Sequence, residues 1–228
     1  LHLFVSYLLI EMCWSPEVSA LAAVGAWGVC AYLYYRNDNF DRWSAAYLFT
    51  FTLTQVVDVF LWLDEGKVGL SSCSDTNFVI SKYIIPMVVF TQHFVQCCFP
   101  SEKLQAYRFP IAMAHLLPIL GMMYQFQCSN LVETSHGMSI CWGGHIAETY
   151  QILIHTGIVA AVFVAMMPSV VALAHVATLG AVMTFLMKTE NTLALGSKWC
   201  SYCLIYSFVY LAAPYWAPRP ALKSKKAV

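Results

Sequence analysis

The stretch FTLTQVVDVFLWLDE, residues 51–65, decides how the rest of the chain is read. It continues an apolar run that starts near residue 43 and is long enough to cross a bilayer, a distance of about 20 helical residues. Yet the run carries Gln55 and Asp58 in its interior. Three residues separate Gln55 from Asp58 and four separate Asp58 from Trp62, which puts all three side chains on one helical face. A carboxylate at membrane depth is costly, so that face must turn inward, and Asp58 stands out as a functional candidate.

Composition places the whole chain in the same setting. Of 228 residues, 60% are hydrophobic and 11% charged, against roughly 25% charged in soluble domains. Such an excess of apolar side chains suits a protein that faces lipid on its outside as well as a core within. Runs of spanning length fall at about 17–35, 43–63, 78–99, 108–127, 149–167, 168–187 and 198–217. The expected fold is therefore all-α: a polytopic membrane protein with seven transmembrane helices at residues 17–217. Residues 1–16 form an N-terminal extension and outer segment, and 218–228 a basic tail. Lys+Arg and Asp+Glu are both 12, so no basic surface suggests nucleic acid.

Seven spans sort the basic residues by side. Arg36, Arg42, Lys103, Arg108, Arg219, Lys223, Lys225 and Lys226 share the C-terminal side, against Lys67, Lys82, Lys188 and Lys198 on the other. The positive-inside bias then sets the C-terminus in the cytoplasm, or its organellar equivalent, and the N-terminus outside. Ser15 and Pro16 open the first span as N-cap and first-turn proline, with Glu17 in that turn. Pro86 and Pro118 are expected to kink the third and fourth spans, and Pro168 to open a tight turn between the fifth and sixth. The long outer connections, DEGKVGLSSCSDTN and CSNLVETSHGMSICWGGHIAE, hold no N-x-S/T site, since Asn77 and Asn130 lead into Phe-Val and Leu-Val.

The nine cysteines divide by depth. Cys13, Cys73, Cys128 and Cys141 belong to outer segments, Cys200 to the outer end of the last span, and Cys30, Cys97, Cys98 and Cys203 to span interiors. Proximity in sequence favours a Cys128–Cys141 disulfide, although four candidates allow three pairings and all nine could equally be reduced, buried side chains. Cys200 and Cys203 are spaced C-x-x-C, but without a second ligand pair they do not make a zinc site, and no metal is expected.

Other polar groups at depth join Gln55, Asp58 and Trp62: Gln92 and His93 on span three, His115 on span four, His155 on span five and His175 on span six. Together they are the candidate ligand or proton site, because histidine titrates near neutrality and a buried carboxylate seeks a cationic partner. Each histidine taken singly reads as an interhelical hydrogen-bonding residue. They come one per span without facing pairs, which argues against bis-histidine haem and leaves the cofactor unknown. No G-x-S-x-G, H-E-x-x-H or paired-acid motif is present, so an enzyme is not the expectation.

Three pieces resemble, in order and spacing, a family of small seven-helix membrane proteins known only as a domain of unknown function: MCWSPEVS at 12–19, QVVDVFLW at 55–62 and GSKWC at 196–200. Members open with Met-Cys-Trp/Phe-Ser, carry Gln-x-x-Glu-x-x-x-Trp in the second helix and begin the last with Ser-x-Trp-Cys. The resemblance implies landmark roles for Cys13, Trp14 and Ser15, for Gln55, Asp58 and Trp62, and for Ser197, Trp199 and Cys200. Here Asp58 stands where glutamate is usual. Eleven residues precede Met12, where relatives begin, which makes Met12 a candidate initiator. The resemblance implies the seven-helix fold and no activity.

The function expected is a small-ligand, ion or proton binding or transport module with a polar site in the outer half of the bundle. The alternative is a structural or accessory subunit of a larger membrane complex, for example photosynthetic or respiratory, for which the 15% aromatic content would suit packing against other helices. The bilayer is the expected partner in both, with other membrane subunits in the second.

Overall fold

The computed structural model describes residues 15–38, 41–65, 73–98, 105–134, 137–141 and 201–216, with isolated positions between 176 and 188. Helix α1 (Pro16–Arg36) starts where the sequence places it: the Val18 N–H donates to the Ser15 side-chain oxygen at 3.3 Å, Pro16 follows the cap and Glu17 lies in the first turn. It stops at Asn37, which adopts the left-handed conformation (φ 49°) that asparagine tolerates better than most residues, its N–H returning to the Leu33 carbonyl. Ser15→Ala should lower stability by about 1 kcal/mol, the usual worth of such a cap, read as a drop in the thermal midpoint.

Helix α2 (Asp41–Glu65) packs along α1. The buried side of α1 is lined by Ser19, Ala22, Ala23, Ala26 and Cys30, small residues that let the backbones approach. Trp27 fixes the register, donating from Nε1 to Thr52 Oγ1 at 2.8 Å and stacking on Phe49 with ring centroids 5.4 Å apart. Both helices are long and apolar enough to cross a membrane. Their outward faces carry Leu21, Val24, Tyr35, Phe60 and Leu63, all exposed.

Beyond Ser74, α3 (Asp75–Val79) leads into a π turn (Ile80–Ile84) and then α4 (Ile85–Cys98). The wide turn has a cause in Pro86. A proline ring clashes with the carbonyl four residues earlier and offers no N–H to it, so the helix opens to an i→i+5 bond, Ile85 N–H to Ile80 carbonyl, just before it. The 3-10 turn Gln105–Tyr107 precedes α5 (Arg108–Gln125), which runs unbroken through Pro118.

The described residues are mostly helical, as the all-α expectation has it, and one short hairpin joins the helices. Strands β1 (Asn130–Thr134) and β2 (Gly137–Cys141) form an antiparallel hairpin with Leu131 opposite Ile140. An isolated hairpin is marginal in water. This one is held by tertiary contact: Ile140 is buried in a cluster with Val57, Leu61, Ile85, Ile119, Met122 and Phe126, and Leu131 packs against it.

Helix α6 (Ser201–Trp216) packs against α1 and α2, with Tyr206 and Tyr210 buried. Arg36 ties the three together. Its guanidinium grips Asp41 through two nitrogens, at 2.7 and 2.8 Å, and also donates to the Tyr210 and Leu211 carbonyls at 3.0 and 2.9 Å. The Tyr210 carbonyl needs such a donor, because Pro214, four residues on, has no N–H to give it.

These helices coincide with five of the apolar runs in the sequence. The run at 149–167 lies outside the described residues, as do residues 1–14 and 217–228; helical backbone is described at 176–178, 180–181, 184 and 188 of the next segment.

Candidate functional site

The stripe Trp43, Tyr47, Phe51, Gln55, Asp58, Trp62 advances along α2 in steps of three or four; Trp43 stacks on Tyr47 with centroids 5.5 Å apart, and Phe51 meets Tyr47 at a tilt, 5.7 Å away. Past Phe51 the stripe turns polar. Gln55 and Asp58 are both 0% exposed, and each makes an interaction within the fold.

The apolar cluster around Ile140 sets the level of the other candidates. Val57 and Leu61 meet Ile119 and Met122 of α5 and Ile85 of α4 there, so Asp58, between them on α2, lies at the cluster's own depth, with Leu61 on its hairpin side. One turn below Ile119 is His115, 1% exposed and engaged within the fold, and one turn below Val88 is Gln92, also buried. On the α1 side, Ser19 lies eight residues before Trp27, as residue 60 lies eight beyond Thr52. Both intervals are about 12 Å, which sets Ser19 level with the turn between Asp58 and Trp62. Gln55, Gln92 and His115 thus form a buried polar layer beneath the apolar one, with Asp58 and Ser19 just above them at the depth of the apolar cluster.

Two atoms of this region stand out. Ser19 Oγ and Trp62 Nε1 are enclosed, and no described residue pairs with either. Buried donors without acceptors cost about 1–3 kcal/mol each and are rare in native folds. Ser19 carried no motif in the sequence; only its place on the α1 face that meets α2 could have marked it.

Above the apolar cluster lies a second polar set, also not foreseen. Asn77 makes a two-bond clamp on Ser129: its amide donates to the Ser129 carbonyl and its oxygen accepts from the Ser129 N–H, both at 2.8 Å. Ser81, inside the π turn, bonds to Asn77 at 2.9 Å and to the Ser129 hydroxyl at 2.8 Å. Ser74 caps α3 by accepting from the Asn77 N–H and donates to Asp64 at the end of α2. A signal existed in the spacing Ser74 to Asn77, an N-cap followed three residues later by the residue it bonds.

The same region corrects the disulfide expectation. Cys128 is bridged to Cys73, not to Cys141, with Cα atoms 6.0 Å apart. Closeness in sequence favoured Cys141, but Asn77 and Ser129 hold the chain so that Cys73 meets Cys128, while Cys141 is buried at the end of β2.

His93 lies on α4 next to Gln92, with its side chain outside the described residues, where Cys13, Trp14, His155, His175, Ser197, Trp199 and Cys200 also fall. Of the landmark residues, Ser15 and Trp62 lie at the same end of the α1–α2 pair, the hairpin end. Among the described residues, no three His, Cys, Asp or Glu side chains gather to hold a metal ion. Comparison with protein-family models, with curated proteins and with solved structures yields no match to this chain.

Proposed function

We propose that the chain is a seven-span membrane protein that binds, and moves across the bilayer, a small polar ligand, ion or proton at the buried polar groups Gln55 and Asp58. The observation that carries this reading is the complete burial of Gln55 and Asp58 on a helix apolar enough to span a membrane. An interior ionisable group at that depth costs several kcal/mol unless it is partnered, and membrane helices keep such groups chiefly along ligand and proton pathways. Ser19 Oγ and Trp62 Nε1 support it by offering two enclosed donors, unpaired among the described residues, on the hairpin side of Asp58. The seven spans, the outward N-terminus and the membership implied by the 12–19, 55–62 and 196–200 motifs belong to this proposal. The five described helices that match apolar runs support it, as do the exposed apolar faces of α1 and α2.

Asp58→Asn tests the reading, because it removes the charge while keeping the shape. In proteoliposomes loaded with a pH-sensitive dye, a proton or cation gradient should dissipate through the native chain and fall to the empty-liposome rate in the variant. The variant's detergent elution profile should be unchanged. Flux equal to that of the native chain would sink the proposal, as would an Asp58→Asn chain that merely fails to fold.

A further inference from the structure

We infer that the β1–β2 hairpin is a fixed seal over the polar layer, with Ile140 as its plug. This rests on the reading of that layer as a ligand site. Ile140 is 2% exposed and sits in the one cluster that also holds Val57 and Leu61, the α2 residues on either side of Asp58. Its cross-strand partner Leu131 packs against the same cluster, so both strands present an apolar side chain downward. Phe126 and Met122 fill the remainder from the end of α5. Any polar species travelling between the hairpin end and Asp58 meets this layer and cannot be hydrated within it.

Three tethers hold the plug down, each at a different residue of the lead-in to β1. The Cys73–Cys128 bridge joins it covalently to the start of α3. Asn77 and Ser81 grip Ser129. Lys82 in the π turn reaches the Phe126 carbonyl at 3.3 Å. All the grips come from Cys73 to Lys82, so hairpin and π turn move as one body, and access from this end requires that body to lift.

Accessibility to a thiol reagent tests the seal without knowledge of the ligand. Ser19→Cys and, separately, Asp58→Cys are placed in the full chain in detergent, exposed to a charged, membrane-impermeant methanethiosulfonate, and read by peptide mass spectrometry. Native Cys30, buried three turns further along α1, is the internal control. With Ile140 in place, positions 19 and 58 should label slowly. Ile140→Ala should speed both by about tenfold or more, as a cheaper local opening would, and leave Cys30 unchanged. Asn77→Ala, which keeps the plug and loosens its grip, should act in the same direction and decides the matter if Ile140→Ala does not fold. Unchanged labelling at both positions would overturn the seal, and so would parallel acceleration at Cys30, which marks general loosening. The labelling result stands apart from flux: a seal that opens in a protein whose flux ignores Asp58→Asn would keep this inference and discard the proposed function.

Discussion

Arg36→Met is expected to be among the most damaging single substitutions in the described bundle, lowering stability by about 3 kcal/mol, the lower end of what breaking a buried ion pair costs. The lower end applies because the Arg36 side chain is 18% exposed, while Asp41 is 7% exposed. Removing the guanidinium strands the Asp41 carboxylate, which keeps only the Asp38 N–H at 2.8 Å among its described donors. It also takes the Arg36 donor from the Tyr210 carbonyl, to which Pro214 has no N–H to give. Adding Asp41→Asn should recover a good part of the loss by removing the stranded charge, though not the carbonyl contacts to α6. Thermal unfolding of the single and double variants in the same detergent reads both effects. A single variant within 0.5 kcal/mol of the native chain, about the spread of ordinary surface substitutions, would show the clasp to be incidental.

Loss of the Cys73–Cys128 bridge is the second large effect. The bridge closes a loop of sequence separation 55, for which chain entropy gives a stabilisation of about 4 kcal/mol. Helices that stay formed in detergent restrict the open chain already, so about 2–3 kcal/mol is expected for Cys73→Ser with Cys128→Ser. The native chain should lose the same amount on reduction, and the double variant should not respond to reductant at all. Cys141→Ser provides the discriminating control: it should leave the reductant response intact, whereas a Cys128–Cys141 pairing would require that response to vanish.

How much of this was legible follows from the range of the forces involved. Helices declare themselves locally, through twenty-odd apolar residues and their caps, and so α1, α2, α5 and α6 begin and end within a few residues of the runs read from the sequence. The burial of Gln55, Asp58, Gln92 and His115 was legible for the same reason, since solvation dictates it whatever the neighbours. The hairpin was not. Its strands are five residues each, carry no clear alternation, and are stabilised by the contact of Leu131 and Ile140 with helices far away in sequence. The cysteine pairing failed likewise, because loop closure rewards nearness while the fold is decided by where Asn77 finds Ser129, 52 residues away. Ser19 shows a third kind of gap: its hydroxyl stands out through lacking a partner among the described residues, which no sequence pattern encodes.

The π turn carries a further consequence, one of phase. In an α-helix four residues advance about 400°, so side chains four apart drift by about 40° at each step. Over the steps from Asn77 through Ser81 and Ile85 to Val89, an unbroken α-helix would accumulate about 120° of drift, enough to carry a position from the interior to the outer surface. The wider turn takes more residues to complete a revolution and so winds that drift back. Asn77 and Ser81 can therefore hold the hairpin while Ile85, and below it Gln92, still look inward. The proline that forces the turn acts as a timing element, keeping the latch at one end of the helix and the polar layer further down on a single meridian.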